Sequence, residues 1–263
     1  MADPSQPAFA GIDVAFAKRK RLPVAVCLRR GSRLIPLDLA GRDVPRPPVG
    51  RGNAAALDEG VLFSFADDVA GYLRQIERHF GVAIRRIGID APSQPRSADT
   101  KRRKAEAALD SRRISCFTTP STEDFVRIRD KAAAHLAKGG AESRLPHANQ
   151  LWMLVGFALF QRLSREWECL EVFPQATVCV LGANAIHKSR ADGLAAQAKA
   201  VALRTAWPDL PFEKTIKAAV HGSAHDGLDA YMSAWVAALD PHERVALGCP
   251  PDDVIWVPAI DTL

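Results

Sequence analysis

Long apolar runs are missing from this chain of 263 residues. The longest apolar stretch, Leu151 to Leu163, is interrupted by Gln161 and Arg162 and is too short to span a bilayer. The opening residues 1–7 contain neither a basic segment nor an apolar segment of the kind found in signal peptides. We therefore expect no signal peptide, no membrane partner and a cytoplasmic location.

Paired cysteines are also missing, because the five cysteines are scattered, odd in number and without a Cys-x-x-Cys pair. This pattern argues against a disulfide framework and against a structural zinc site. We expect reduced thiols that pack as small apolar side chains. The five are Cys27, Cys116, Cys169, Cys179 and Cys249.

Several catalytic and binding motifs are absent as well. Gly50 and Gly52 do not complete a dinucleotide fingerprint, and the chain has no Walker-type loop and no Gly-x-Ser-x-Gly elbow. Tyrosine occurs only twice and the five tryptophans are scattered, so the sequence predicts no aromatic platform for single-stranded nucleic acid.

Positive charge is plentiful and unevenly distributed, with a net charge of +5. Residues 16–33 hold seven Lys/Arg and no acid, and residues 96–113 hold seven Lys/Arg against three acids. From 205 to the end there are nine acids and three Lys/Arg. Clustered bases are typical of a polyanion-binding surface, although a solvated loop and helix face would look the same.

Periodicity predicts an α/β layer fold for the whole chain, 1–263, as one domain. Three short strands, a helix ending near Phe80 and a strand ending at Ala91 come first. Residues 93–168 read as a helical insertion or enlarged connection. The predicted elements are strands at 9–16, 22–28, 34–39, 86–91, 169–173 and 254–257, and helices at 65–80, 100–111, 121–139, 148–166, 190–205, 212–220 and 226–239.

Two of these strands end in the same signature, Gly-Ile-Asp, at Asp13 and at Asp90. A carboxylate inside an apolar strand is costly unless a charged group lies against it. Side chains alternate along a strand, so Gly11 shares the face of Asp13 and Gly88 shares the face of Asp90. We expect both faces to be cleared of bulk so that an ion and a phosphate can lie against the sheet.

Three further acids join this pattern. Glu171 ends another apolar strand, and Asp226 and Asp229 are three residues apart on a helix and so share one face. Two carboxylates about 4 Å apart repel by roughly 4 kcal/mol at an effective dielectric of 20, so a proton or a cation must lie between them. Oxygen ligands without histidine or thiolate favour Mg²⁺ or Mn²⁺.

At these residues the chain resembles the predicted RNase H-like nucleases known as domain of unknown function 429. The resemblance rests on Gly-Ile-Asp at 11–13, Ile-Asp-Ala-Pro at 89–92, Glu-Val-Phe-Pro at 171–174 and His-Asp-x-x-Asp-Ala at 225–230, over roughly residues 8–240. It implies an RNase H-like fold, with a five-stranded mixed sheet in order 3-2-1-4-5 flanked by helices. Asp13 and Asp90 would be the acids of strands one and four, and Asp226 or Asp229 the acid of the C-terminal helix. Glu171 matches the Glu-x-x-Pro signature of the family.

Other polar clusters carry weaker signals. His221 and His225 are four apart but lack a third zinc ligand with matching spacing. His225 beside Asp226 is a candidate proton carrier or phosphate contact, and His187 with Lys188 is a candidate phosphate contact. Arg103 and Glu106 resemble family positions, but we interpret them as a charged pair on an exposed helix.

The sequence therefore predicts a metal-dependent nuclease that acts on DNA or RNA with Mg²⁺ or Mn²⁺. Asp13, Asp90 and Asp229 are the expected metal ligands, and Asp226 and Glu171 are further catalytic candidates. A phosphotransferase of the same fold and a non-catalytic nucleic-acid-binding module remain alternatives. The expected contacts to nucleic-acid backbone are Lys18, Arg19, Lys20, Arg21, Lys101, Arg102, Arg103 and Lys104.

Overall fold

The central feature of the computed structural model is a five-stranded mixed sheet in the order β3-β2-β1-β4-β5. The structure describes residues 6–206 and 212–259; most of the opening segment considered as a signal peptide lies outside this part. β1 runs antiparallel to β2 and parallel to β4, and β4 runs parallel to β5. The predicted sheet order is confirmed, and the first three strands form an antiparallel meander.

Eight helices surround this sheet within the described residues. The strands are β1 (Gln6–Asp13), β2 (Val24–Arg30), β3 (Arg33–Pro36), β4 (Val82–Asp90), β5 (Glu168–Glu171), β6 (Arg244–Cys249) and β7 (Asp253–Pro258). The helices are α1 (Glu59–Phe80), α2 (Lys104–Ser111), α3 (Thr122–Ala137), α4 (Ala148–Leu163), α5 (Pro174–Val180), α6 (Ala191–Thr205), α7 (Phe212–Ala219) and α8 (Ala224–Ala238).

Helix boundaries follow local sequence signals. The Asp58 side chain accepts a hydrogen bond from the amide of Val61 at the start of α1, and α1 ends at Gly81, which has a φ of 63°. Ser121 and Asp124 form a capping box at the start of α3.

Two apolar cores lie on opposite faces of the sheet. Alternate residues of β1 and β2, such as Ile12 and Val26, pack with α1 and α4. The other face, with Ala25 and Cys27, packs against α6, α7 and α8. A sheet covered by helices on both faces follows from strands that are apolar on both sides.

Two elements were not predicted. α5 begins at Pro174, which the sequence analysis treated only as the end of a strand, although proline is also favoured in the first turn of a helix. β6 pairs with β7 in a separate two-stranded sheet. All five cysteines are free, as predicted, but only Cys27 is fully buried and Cys249 is exposed, so the expectation that they all pack as apolar side chains is wrong for Cys249. Within the described residues, no helix is both long and apolar enough to cross a membrane.

Candidate metal centre

The two Gly-Ile-Asp signatures lie side by side in the sheet. β1 and β4 are parallel and in register, so that Gly11 pairs with Gly88 and Asp13 pairs with Asp90. Both aspartates are the last residues of their strands. The repeated signature therefore places two carboxylates next to each other at the carboxyl edge of the sheet.

The glycines of these signatures make room for a helix rather than for a ligand. A Cβ atom on Gly11 would overlap the backbone of Ala230 and Ala234, and one on Gly88 would overlap the carbonyl of Ser233. Our expectation that this face is cleared for an ion and a phosphate is therefore wrong above the glycines, where the backbone of α8 lies. The close approach of α8 has a functional consequence, because it carries Asp229 to the ends of β1 and β4.

Three carboxylates meet at this point. Asp13, Asp90 and Asp229 each offer one oxygen, and these oxygens lie within 4.8 Å of one another. Asp229 is buried, with 4% of its surface exposed, and the other two are half-buried. They come from three separate segments of the chain, and they are the three residues that the sequence analysis chose as metal ligands.

The charges of this acidic centre strongly perturb proton binding. Burial, together with the charge of Asp229, raises the pKa of Asp90 from 3.8 to about 8. Burial and the charges of Asp90, Asp229 and Asp226 raise the pKa of Asp13 well above its ordinary value. A cation between the carboxylates would relieve this cost, and one side chain already does so in part.

That side chain is Lys188, whose ammonium group contacts Oδ2 of Asp229. Burial lowers the pKa of Lys188, but the charges of Asp229, Asp90 and Asp13 outweigh it, so that the pKa is raised overall. The sequence predicts Lys188 only as a phosphate contact and does not indicate this ion pair. No local signal could have revealed it, because 41 residues separate the two partners.

One amine does not satisfy the whole cluster. Oδ1 of Asp229 is buried without a hydrogen-bond partner among the described residues. Within the described residues, the carboxylates of Asp13 and Asp90 form no hydrogen bond or ion pair with another protein group. Unpartnered oxygens from three carboxylates suit a hard divalent cation, so the donor set fits Mg²⁺ or Mn²⁺.

Asp226 lies at the edge of this centre. It is near the start of α8, where its amide donates to the side chain of Ser223, and its carboxylate is 3.1 Å from Nε2 of His225. Asp226 is not one of the three converging ligands, yet its charge raises the pKa of Asp13. Within the described residues, His221 and His225 do not form a zinc site, because Nε2 of His221 lies 3.2 Å from the carbonyl oxygen of Leu39.

Glu171 belongs to a different cluster. Both of its oxygens accept hydrogen bonds of 2.7 Å from the guanidinium of Arg103, and one of them also accepts a bond from the amide of Ser93. Arg103 also donates a hydrogen bond to Asp253. The carboxylate of Asp253 accepts further hydrogen bonds from the backbone amides at the start of α2. This ion-pair network joins β5, α2 and β7, so Glu171 has a charged partner and is not among the three converging acids.

The interpretation of Arg103 and Glu106 as an exposed charged pair is wrong. They are 3% and 2% exposed, because β6 and β7 pack over α2. Glu106 accepts from the amides of Arg103 and Thr119. Sequence reasoning missed this burial because the small sheet that covers α2 is formed by residues about 140 positions further along the chain.

The predicted backbone-contacting bases divide into two groups. Lys18, Arg19, Lys20 and Arg21 are all exposed in the loop that follows Asp13, and Lys101 and Lys104 are exposed near the start of α2. Arg102 is ion-paired with Asp110, and Arg103 is buried in its network. Arg103 therefore contacts the protein itself rather than a surface ligand.

Fold and site together define an α/β protein in which two central strands and one helix bring three carboxylates together. Residues 11–253 match the family described as "Protein of unknown function (DUF429)", and the chain belongs to that family. The family assignment drawn from the four motifs is thereby confirmed. No curated protein and no solved structure matches the chain.

Proposed function

We propose that this protein is a divalent-metal-dependent nuclease that hydrolyses phosphodiester bonds at an RNase H-like acidic active site. The observation that carries the proposal is the convergence of Asp13, Asp90 and Asp229 within 4.8 Å from three distant segments. Burying three acids together is costly, and a fold keeps such an arrangement where a cation is to be bound. The sheet order supports the RNase H-like part of the proposal.

Each acid has a defined place in this proposal. Asp13 and Asp90 offer oxygens from the rigid ends of two central strands, and Asp229 offers its unpartnered Oδ1 from α8. A bound Mg²⁺ or Mn²⁺ would polarise the phosphoryl oxygen and supply an activated water. Lys188 keeps the centre partly neutral and is a candidate cation for the phosphate that approaches it.

Nucleic acid is the proposed substrate class because of the basic residues in the loop that leaves β1. The exposed residues Lys18, Arg19, Lys20 and Arg21 follow Asp13 by five to eight positions in the chain. Such a cluster attracts a phosphate backbone and releases its counterions. Binding should therefore weaken steeply as salt is raised.

The first loop argues against a phosphotransferase. Sugar kinases of this fold class offer glycine and threonine to phosphate in their first hairpin, whereas this chain has Val14, Ala15 and Phe16. Val14 and Phe16 are buried in the core, 7% and 3% exposed, so this loop has no hydroxyl to offer.

The test is cleavage of single- and double-stranded DNA and RNA with Mg²⁺ or Mn²⁺, with chelator as the blank. We expect wild type to cleave at least one substrate and Asp13→Asn to lose that cleavage while unfolding as a single cooperative transition. Asp43→Asn is the matched control, since Asp43 is an exposed carboxylate outside the centre, and it should cleave like wild type.

Two results would replace the nuclease proposal. Salt-sensitive binding that chelator does not change, without cleavage of any substrate, would indicate a non-catalytic binding module. Turnover of ATP in a coupled assay, lost in Asp13→Asn, would indicate a phosphotransferase.

A further inference from the structure

A cavity of about 250 Å³ lies next to the acidic centre, with Asp90 in its wall. Its other walls come from α2, α4, the segment after β5 and the loop that joins α2 to α3. Asp90 therefore belongs both to the carboxylate cluster and to this cavity. A ligand bound at the three carboxylates could therefore place a neighbouring group in this cavity.

The walls of the cavity are mainly apolar and partly aromatic. Phe117, Trp152 and Phe173 line it from three different segments. Phe117 is 60% exposed, which is unusual for a phenylalanine and leaves its ring open to a ligand. The indole of Trp152 is oriented by a 2.9 Å hydrogen bond from its Nε1 to the carbonyl of Asn149. These rings are the surfaces on which a planar heterocycle stacks.

Apart from Asp90, the charged groups in the wall, Arg103, Glu106 and Glu171, have protein partners. Arg103 is bonded to Glu171 and Asp253, so its charge is not free to bind an anion. By contrast, Ser115 and Thr119 line the cavity, and their hydroxyls make no hydrogen bond to another side chain or backbone group of the described residues. Apolar walls, an acid at Asp90 and two hydroxyls without protein partners suit an uncharged polar ring better than a second phosphate.

The size of the cavity limits the ligand further. Pockets that enclose drug-sized ligands measure roughly 300–1,000 Å³, and this one is slightly smaller. It has room for a single ring system and not for a stacked base pair. A base can enter it only when it is unpaired or has been turned out of a duplex.

We infer that this cavity receives one unstacked nucleobase of the substrate, next to the phosphate presented to Asp13, Asp90 and Asp229. The inference rests on the proposed function and makes it more specific, because it assigns the substrate to single-stranded or locally unpaired nucleic acid. It also replaces the expectation that the chain has no aromatic platform for single-stranded nucleic acid. The three rings that would form this platform are far apart in sequence and leave no local pattern.

The test is equilibrium binding of a single-stranded oligonucleotide that carries one fluorescent purine analogue, measured with Ca²⁺ in place of Mg²⁺. Phe117→Ala should weaken binding by roughly fivefold to a hundredfold, the range measured for loss of one base–aromatic stack. Phe117→Tyr should bind with an affinity close to that of wild type, since it keeps the aromatic ring. Phe63→Ala is the matched control, because Phe63 is an exposed phenylalanine on α1 outside the cavity.

A second measurement changes the oligonucleotide rather than the protein and is made on both wild type and Phe117→Ala. An oligonucleotide with an abasic position should lose affinity for wild type to a similar extent, and Phe117→Ala should then cause no further loss. Wild-type affinity for the abasic strand, together with unchanged binding by Phe117→Ala, would overturn the inference, and so would failure to bind any single strand.

The two proposals fail separately. Base-dependent binding without metal-dependent cleavage would support the base site and refute the nuclease. Cleavage that requires Asp13 but is indifferent to Phe117 and to the abasic position would support the nuclease and refute the base site.

Discussion

Two clusters of buried acids lie at the same end of the sheet, and their partners differ. In the acidic centre, Asp13, Asp90 and Asp229 share one ammonium group, that of Lys188. In the ion-pair network, Glu171 accepts hydrogen bonds from both terminal nitrogens of Arg103, whose Nε donates a further bond to Asp253.

This difference separates a structural cluster from a candidate site. A guanidinium matched to a carboxylate forms two strong, directional hydrogen bonds and leaves little for a ligand to add. The acidic centre is short of positive charge and has a buried oxygen without a partner among the described residues. An acidic side chain therefore joins β5 to α2 through an ion pair in one cluster and is a proposed metal ligand in the other.

The largest effect is expected from breaking the structural cluster. Arg103→Leu leaves Glu171 buried without its partner and should destabilise the protein by about 3–5 kcal/mol in urea unfolding. The double variant Arg103→Leu, Glu171→Leu should recover much of that loss, because no buried charge is then left unpaired. A single variant as stable as wild type would show that the network contributes nothing to the fold.

The next effect concerns metal binding. Asp90→Asn should weaken Mn²⁺ binding by roughly a hundredfold, since even the loss of a group that only orients a ligand costs about 10–100-fold. Isothermal titration calorimetry measures this, with Asp43→Asn as the control. Equal affinity in wild type and Asp90→Asn would remove Asp90 from the proposed ligands.

A smaller effect in the opposite direction is expected at Lys188. Its ammonium group occupies part of the acidic centre, so Lys188→Met should tighten Mn²⁺ binding by roughly tenfold, equivalent to about 1.4 kcal/mol. Lys199→Met, which removes an exposed lysine on α6, should leave the affinity unchanged. Weaker binding in Lys188→Met would mean that Lys188 helps to form the site rather than competing with the ion.

The smallest effect is the dependence of stability on pH without metal. The pKa of Asp90 is raised from 3.8 to about 8 in the folded protein, so the folded state holds a proton that the unfolded state has lost. Its contribution to stability is complete below about pH 4 and is lost as the pH rises towards 8. Burial is the largest cause of this shift in the pKa of Asp90, the charges of Asp229 and Glu171 add to it, and the charge of Lys188 opposes it.

Thermal unfolding in chelator checks this sign. The melting temperature of wild type should fall by a few degrees between pH 6 and pH 8, and Asp90→Asn should show a smaller fall. Added Mn²⁺ should remove most of the decrease. A melting temperature that rises over this interval equally in both proteins would contradict the assignment.

Much of the fold was predictable because it follows from local patterns. The strands at β1, β4 and β5 and the amphipathic helix α1 are visible as apolar runs and helical periodicity. The order 3-2-1-4-5 came from the family resemblance. β6 was missed because its exposed and buried residues are mixed, and α5 because Pro174 serves equally well to stop a strand and to begin a helix.

The candidate site was predictable only in part. The Gly-Ile-Asp repeats indicated Asp13 and Asp90 directly, and Asp229 followed from its place on a helix. Glu171 carried the same kind of signal, a carboxylate at the end of an apolar strand, and the structure gives it a different role. Nothing near Glu171 in sequence distinguishes it, since Arg103 lies 68 residues away.

The sequence by itself determined which strands end in carboxylates and that two of them repeat one signature, because strand formation and side-chain alternation depend on neighbouring residues. Only the tertiary structure decided which acid is neutralised by arginine, which is left with a single lysine, and which aromatic rings gather beside Asp90. Those outcomes depend on long-range packing of α2, α8 and the loop around Lys188, and pairing across such distances leaves no local pattern.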